Sequence, residues 1–130
     1  MRLVLAASLF LVFPARAEDC AELTSEIAMN ECAAAAYGTT DAELNRVYRG
    51  IMARLAEDEE GRQRLTTAQH AWLAFRDAEC AFRTDRSAHG SIHPYLVTSC
   101  RDGLSVDRVA QLRGYLTCQE GDLACPVPAP

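Results

Sequence analysis

The chain contains no lysine; all 13 of its basic residues are arginine. It also has no Cys-x-x-Cys pair, and so lacks the tight chelating spacing of a zinc site. Its longest apolar stretch, residues 3–13, is too short to cross a bilayer. No segment alternates apolar and polar residues in the manner of a half-buried strand, and none repeats. What remains is helical patterning, in a chain whose 130 residues suit one domain of ordinary size.

The apolar stretch follows Arg2 and is closed by Ala15-Arg16-Ala17, a small-x-small pattern. This is the layout of an export leader, with cleavage expected after Ala17. Residues 1–17 are therefore read as a signal peptide and Glu18 as the first mature residue. Glu18 and Asp19 stand where a lipobox needs small residues, which argues against lipid attachment at Cys20. Loss of Arg2 and Arg16 takes the formal charge from -5 to -7. An acidic domain of this kind disfavours nucleic acid and anionic membrane surfaces, and favours a basic partner.

All six cysteines, Cys20, Cys32, Cys80, Cys100, Cys118 and Cys125, fall after the leader. An even number behind an export signal implies disulfides. Six cysteines permit 15 pairings. The short-loop set, Cys20 with Cys32, Cys80 with Cys100 and Cys118 with Cys125, is the simplest.

Helix signals divide the chain into four or five helices. Thr24-Ser25 can cap a first helix that ends at Gly38. Thr40-Asp41-Ala42-Glu43 has capping-box spacing and opens a second, with Leu44, Val47, Tyr48, Ile51, Met52 and Leu55 as its apolar stripe. The acidic run 57–60 and Gly61 are expected to form a solvated turn, able to attract a cationic partner. A third helix is expected over residues 62–83 and a loop over 84–93. Pro94 can start a short helix to Cys100, and Ser105 can cap a last one with Val106, Val109, Leu112 and Leu116 inward. Residues 119–130 form a Pro-rich tail, whose Pro-Val-Pro-Ala-Pro stretch beyond Cys125 is expected to be extended and mobile. The fold class is all-α: a small disulfide-bonded helical bundle.

AQHAWLAFRDAEC, residues 68–80, mixes aromatic, charged and thiol groups. On a wheel centred on Trp72, at about 100° per residue, Leu65, Ala68, Phe75 and Phe82 fall on the core side. Gln69, Arg76 and Glu79 share that side, with Cys80 at its margin, while His70, Ala74 and Asp77 face away. If helices two and three pack antiparallel, Asp41 and Asn45 meet Arg76. A buried arginine needs such carboxylate or amide partners. Asp41, Asn45, Gln69, Arg76 and Glu79 are therefore expected to form a structural polar network, with a recognition site as the competing reading.

These stretches carry a resemblance. The sequence is similar to the LprI-like lysozyme-inhibitor domain family of exported bacterial proteins. The similarity lies in MNEC (29–32), DAELNRVY (41–48), AQHAWLAFRDAEC (68–80), GSI (90–92), Cys100 and Asp107-Arg108. It spans about residues 20–116, within a domain drawn as 18–118. The resemblance implies a helical, disulfide-bonded domain of the periplasm or cell surface, with lysozyme as a possible target. It carries over no catalytic residue.

The loop tethered by Cys80 and Cys100 is the expected partner-binding element, through Arg83, Asp85, Arg86, His89, Ser91 and His93. A disulfide across it would lower the entropy lost on holding one shape. His89 and His93 have metal-like spacing, but Gly90 and Pro94 break the helix and no third ligand is evident, so no metal is expected. Ser91 lacks an acid to orient a neighbouring base. Glu79 with a distant acid imitates a glycosidase pair only on paper. No catalytic residue and no cofactor are expected. The leading reading is inhibition of lysozyme, a basic enzyme, by protein contact. The alternative is a structural or adaptor module of the envelope.

Overall fold

The computed structural model describes residues 16–119 and 121–129. After a 3-10 segment, Ala17–Glu22, the chain forms three long helices: α1 (Glu26–Arg54), α2 (Glu59–Thr84) and α3 (His93–Leu116). Four or five helices were expected; two of the expected breaks are absent. Gly38 lies inside α1 with a negative φ. The neighbouring Thr39 and Thr40 hydroxyls donate to the Ala35 and Ala36 carbonyls one turn back, at 3.1 and 3.3 Å. They satisfy the helix they sit in instead of capping a new one. In α3, Gly103 is likewise absorbed, and Ser105 is buried within the helix. A glycine costs a helix interior about 1 kcal/mol, which tertiary packing of long apolar faces outweighs.

The caps that do form are local. Ser25 accepts from the Ala28 amide and Asp58 from the Gly61 amide, at 3.2 and 2.9 Å. The acidic run 57–60 is thus not simply a turn. Asp58 is the N-cap of α2, and Glu59 and Glu60 occupy its first turn, where the helix dipole favours negative charge. Gly61 leaves room for the capping carboxylate, which a side chain there would push out of its present position.

α1 and α3 share most of the core. Leu44, Val47, Ile51, Leu55, Val109 and Leu112 form its main cluster, against which Leu65 and Trp72 of α2 pack. A second cluster joins Ala17, Cys20, Ala33, Ala36 and Tyr95 near the start of α1. Arg54 of α1 donates to the Leu116 carbonyl at 2.9 Å, placing a cation at the C-terminus of α3.

The disulfides join Cys20 to Cys32, Cys80 to Cys100 and Cys118 to Cys125. The last of these corrects the picture of a mobile tail. Gly121, at φ 85°, helps turn the chain inside the Cys118–Cys125 loop. The returning segment places Val127 in the main core at 3% exposure. Pro126 and Val127 border a cavity with Ile51, Leu55, Leu65, Ala68 and Tyr115. Among the described residues, no helix is long and apolar enough to cross a membrane.

Across the opposite edge, Glu43 of α1 pairs with Arg46 (Nε to Oε2, 2.7 Å) and with Arg113 of α3. The hydrogen bond from Arg46 and the nearby Arg113 guanidinium hold the Glu43 carboxyl down at about 2. A depressed carboxyl stabilises the fold above the ordinary carboxylate pKa, and that contribution disappears as pH falls from about 4.5 to about 2. Both arginines are well exposed, so solvent screens the pair. Glu43→Gln is expected to lower the melting temperature at pH 7 by about 2 to 4 °C. The difference from wild type should close by pH 2. A gap that persists there in thermal scans would point to packing and not to charge.

Candidate functional site

Arg76 is 7% exposed, so it is buried, but its partners are not the ones expected. Its Nε and a terminal nitrogen lie 3.0 and 2.9 Å from Asp77 Oδ1. Arg101 of α3 approaches the same oxygen at 3.2 Å. Asp77, read on the wheel as facing only water, thus bridges two arginines from a half-exposed position. Asp41 and Asn45 bond to each other instead, with Asn45 Nδ2 donating to Asp41 Oδ2 at 3.2 Å. Gln69 is buried and its Oε1 accepts from Arg108 Nε at 3.1 Å. Glu79 is half-buried on α2, outside these bonds. Four residues of the expected five-residue network are therefore divided among three bonded groups, and Glu79 belongs to none of them.

Trp72 is the hub of what assembles. The guanidinium carbons of Arg76 and Arg108 lie 5.4 and 5.8 Å from its ring centroid. Arg76 also lies 5.8 Å from the Tyr37 ring. Aromatic faces attract cations, and more strongly where water is excluded. Burial pushes the Tyr37 hydroxyl above its ordinary range, against the pull of Arg76. Arg108 was visible in the sequence only as part of a family-like pair, and Tyr37 only as the residue before the expected helix end at Gly38.

The wheel misplaced two aromatics. Phe75 and Phe82 are 54% and 80% exposed on the outer face of α2. Gln69, Arg76 and Cys80 form the buried stripe, centred roughly 60° round the helix from Trp72. Phe75 and Phe82 lie roughly as far round in the other direction. Centring on the largest apolar residue failed because the stripe that α2 buries is largely polar.

The loop between α2 and α3 is closed and internally bonded. A 3-10 turn, Asp85–Ser87, follows α2 directly. The Thr84 hydroxyl donates to the Cys80 carbonyl at 2.8 Å and the Ser87 hydroxyl to the Thr84 carbonyl at 2.7 Å. Ser87 Oγ also lies 3.0 Å from His93 Nδ1. Ser91 Oγ donates to Glu26 of α1 at 2.7 Å, fixing the far side of the loop. Cys80–Cys100 spans it, with Cys80 fully buried. Arg83, Asp85, Arg86, His89 and Ser91 are exposed, whereas His93 is half-buried against Ser87. Thus Asp85, Arg86, His89 and Ser91 line the outside of a fixed loop, Arg83 stands on the last turn of α2, and His93, the first residue of α3, holds the loop. Among the described residues, no three His, Cys, Asp or Glu side chains converge as metal ligands.

Comparison with known proteins adds a family. The model described as "Lysozyme inhibitor LprI" matches residues 17–112. An uncharacterized protein of Rhizobium meliloti (strain 1021) is 33% identical, over 78% of this chain and 81% of its own length. No solved structure matches.

Proposed function

We propose that this protein, which belongs to the LprI lysozyme-inhibitor family, is exported and blocks a lysozyme-type enzyme by protein contact. The carrying observation is the loop 83–93, held at both ends by Cys80–Cys100 and braced inside by Ser87 and Ser91. A loop already fixed in shape loses little entropy on entering a cleft. Its exposed side carries Asp85, Arg86 and His89, with Arg83 on the last turn of α2 before it. A glycosidase cleft is flanked by two carboxylates, which the Arg86 guanidinium can meet. The acidic balance of the whole domain matches the basic exterior of such an enzyme and speeds encounter. Export is supported by the leader pattern of residues 1–17, which lies almost wholly outside the family match. Removal of the leader leaves no membrane-inserted segment.

The oxidised mature domain should suppress lysis of a bacterial cell suspension by lysozyme. Arg86→Ala should weaken that suppression roughly tenfold, the usual effect of removing one partner of an interfacial charge pair. Undiminished lysis at inhibitor concentrations on the order of 100 μM would remove this function for the enzyme tested. A second reading, an envelope adaptor without inhibitory activity, draws on the exposed Phe75 and Phe82. Pull-down of a stable envelope partner, with no lysozyme effect, would support it.

A further inference from the structure

Asp102 is the most deeply buried carboxylate among the described residues, at 2% exposure, and it has a partner 85 positions away in sequence. Its Oδ2 accepts from the backbone N–H of Ala17 at 2.9 Å. Its Oδ1 is buried without a hydrogen bond, as are the hydroxyls of Ser99 and Ser105, one turn to either side on α3. A buried ionised carboxylate with an unmet lone pair is costly unless a cation meets it. The contact falls one peptide bond before the one where the leader is expected to be cut, on the residue that cleavage removes.

We infer that Asp102 is the receptor for the α-ammonium group created when the leader is removed after Ala17. This inference rests on the export reading above. Hydrolysis breaks the Ala17–Glu18 C–N bond. The oxygen of water goes to the Ala17 carboxylate, and the Glu18 nitrogen becomes a protonated amine. Ala17, which is fully buried, departs and vacates the space against Asp102. The Glu18 nitrogen begins one residue away, a shift of at most about 3.8 Å of chain. It cannot drift far, because Cys20 is bonded to Cys32 two residues later. An ammonium offers three donors where the amide offered one. Asp102 Oδ1 supplies a further acceptor, and Ser99 borders the same cavity of about 290 Å³. Arg16 also borders that cavity and leaves with the leader, so one positive charge replaces another. Arg83 and Asp107, of opposite sign, remain at its rim. Processing thereby takes Ala17 out of the second core cluster and ties the new N-terminus to α3 through a charge pair in its place.

The absence of lysine makes the test simple, since the mature chain has a single primary amine. The full chain is expressed with export in a bacterial host, purified, and its start read by intact mass. Its amine is then acylated near neutral pH with an amine-reactive ester. The control is the same chain with Gly-Ser inserted after Ala17, which carries its amine beyond the cavity. The processed wild-type protein should react at least tenfold more slowly than the control. Folded Asp102→Asn, checked by far-UV circular dichroism, should react at the control rate. Equal rates for wild type and control would overturn the pairing alone. Continued protection in folded Asp102→Asn would assign the burial to packing and overturn it as well. If that variant fails to fold, the comparison of wild type with the Gly-Ser chain decides. A mass that starts elsewhere than Glu18 would sink this inference alone, and the mass of the uncut chain would sink the export reading with it.

Discussion

Replacing Cys80 and Cys100 together by alanine is expected to cost about 3 kcal/mol of stability. The bond closes a segment 20 residues long that holds the end of α2, the 3-10 turn and the start of α3. Cutting it restores conformational freedom chiefly to the unfolded chain. In the folded chain it leaves the loop on the Thr84, Ser87 and Ser91 hydrogen bonds, each worth about 1 kcal/mol net. Thermal unfolding followed by circular dichroism should show a melting temperature lower by roughly 10 °C or more. Lysozyme suppression should fall further than stability alone explains, because the loop must now be ordered on binding. A double variant that melts within a degree or two of wild type would mean that the bond does not restrain the loop.

Trp72→Ala should be as damaging, at about 3 to 5 kcal/mol. The indole packs against the main core and also supplies the π face near which two buried guanidiniums lie. Its loss opens a void and leaves Arg108, which donates to the amides of Gln69 and Gln111, with a poorer environment for its charge. Trp72→Phe keeps a flat aromatic ring and should cost less than half as much. Urea unfolding followed by circular dichroism distinguishes the two, since the chain's single tryptophan cannot then report on itself. If alanine and phenylalanine proved equally harmful, the stacking account of the seam would be wrong.

The all-helical class could be read in the sequence, because the apolar positions of α1 recur with a helical period from Leu44 to Leu55. The number of helices could not. Gly38 and Ser105 carry the local signals of an end and a start, and only the packing of α1 against α3 cancels them. The polar seam was half legible: Arg76 is buried as the wheel required. Its partner was not legible, since Asp77 reaches back from the neighbouring position while Asp41 stays with Asn45. Asp102 left no trace in the pattern. A single buried acid on α3 gains meaning only from the remote backbone it meets. The exposed loop residues were legible because Gly90 and Pro94 punctuate that segment whatever packs around it.

The three disulfides are also consecutive, each joining a cysteine to the next one along the chain, at separations of 12, 20 and 7. Their order therefore matches the order in which a chain threaded N-terminus first would emerge. An oxidant that joins each newly exposed thiol to the one before it makes every native bond in turn and none of the other 14 pairings. Such a chain needs an oxidase at the exit and no isomerase to correct its bonds. Its crosslinks would be complete soon after Cys125 appears, with the N-terminal staple formed while α3 is still on its way.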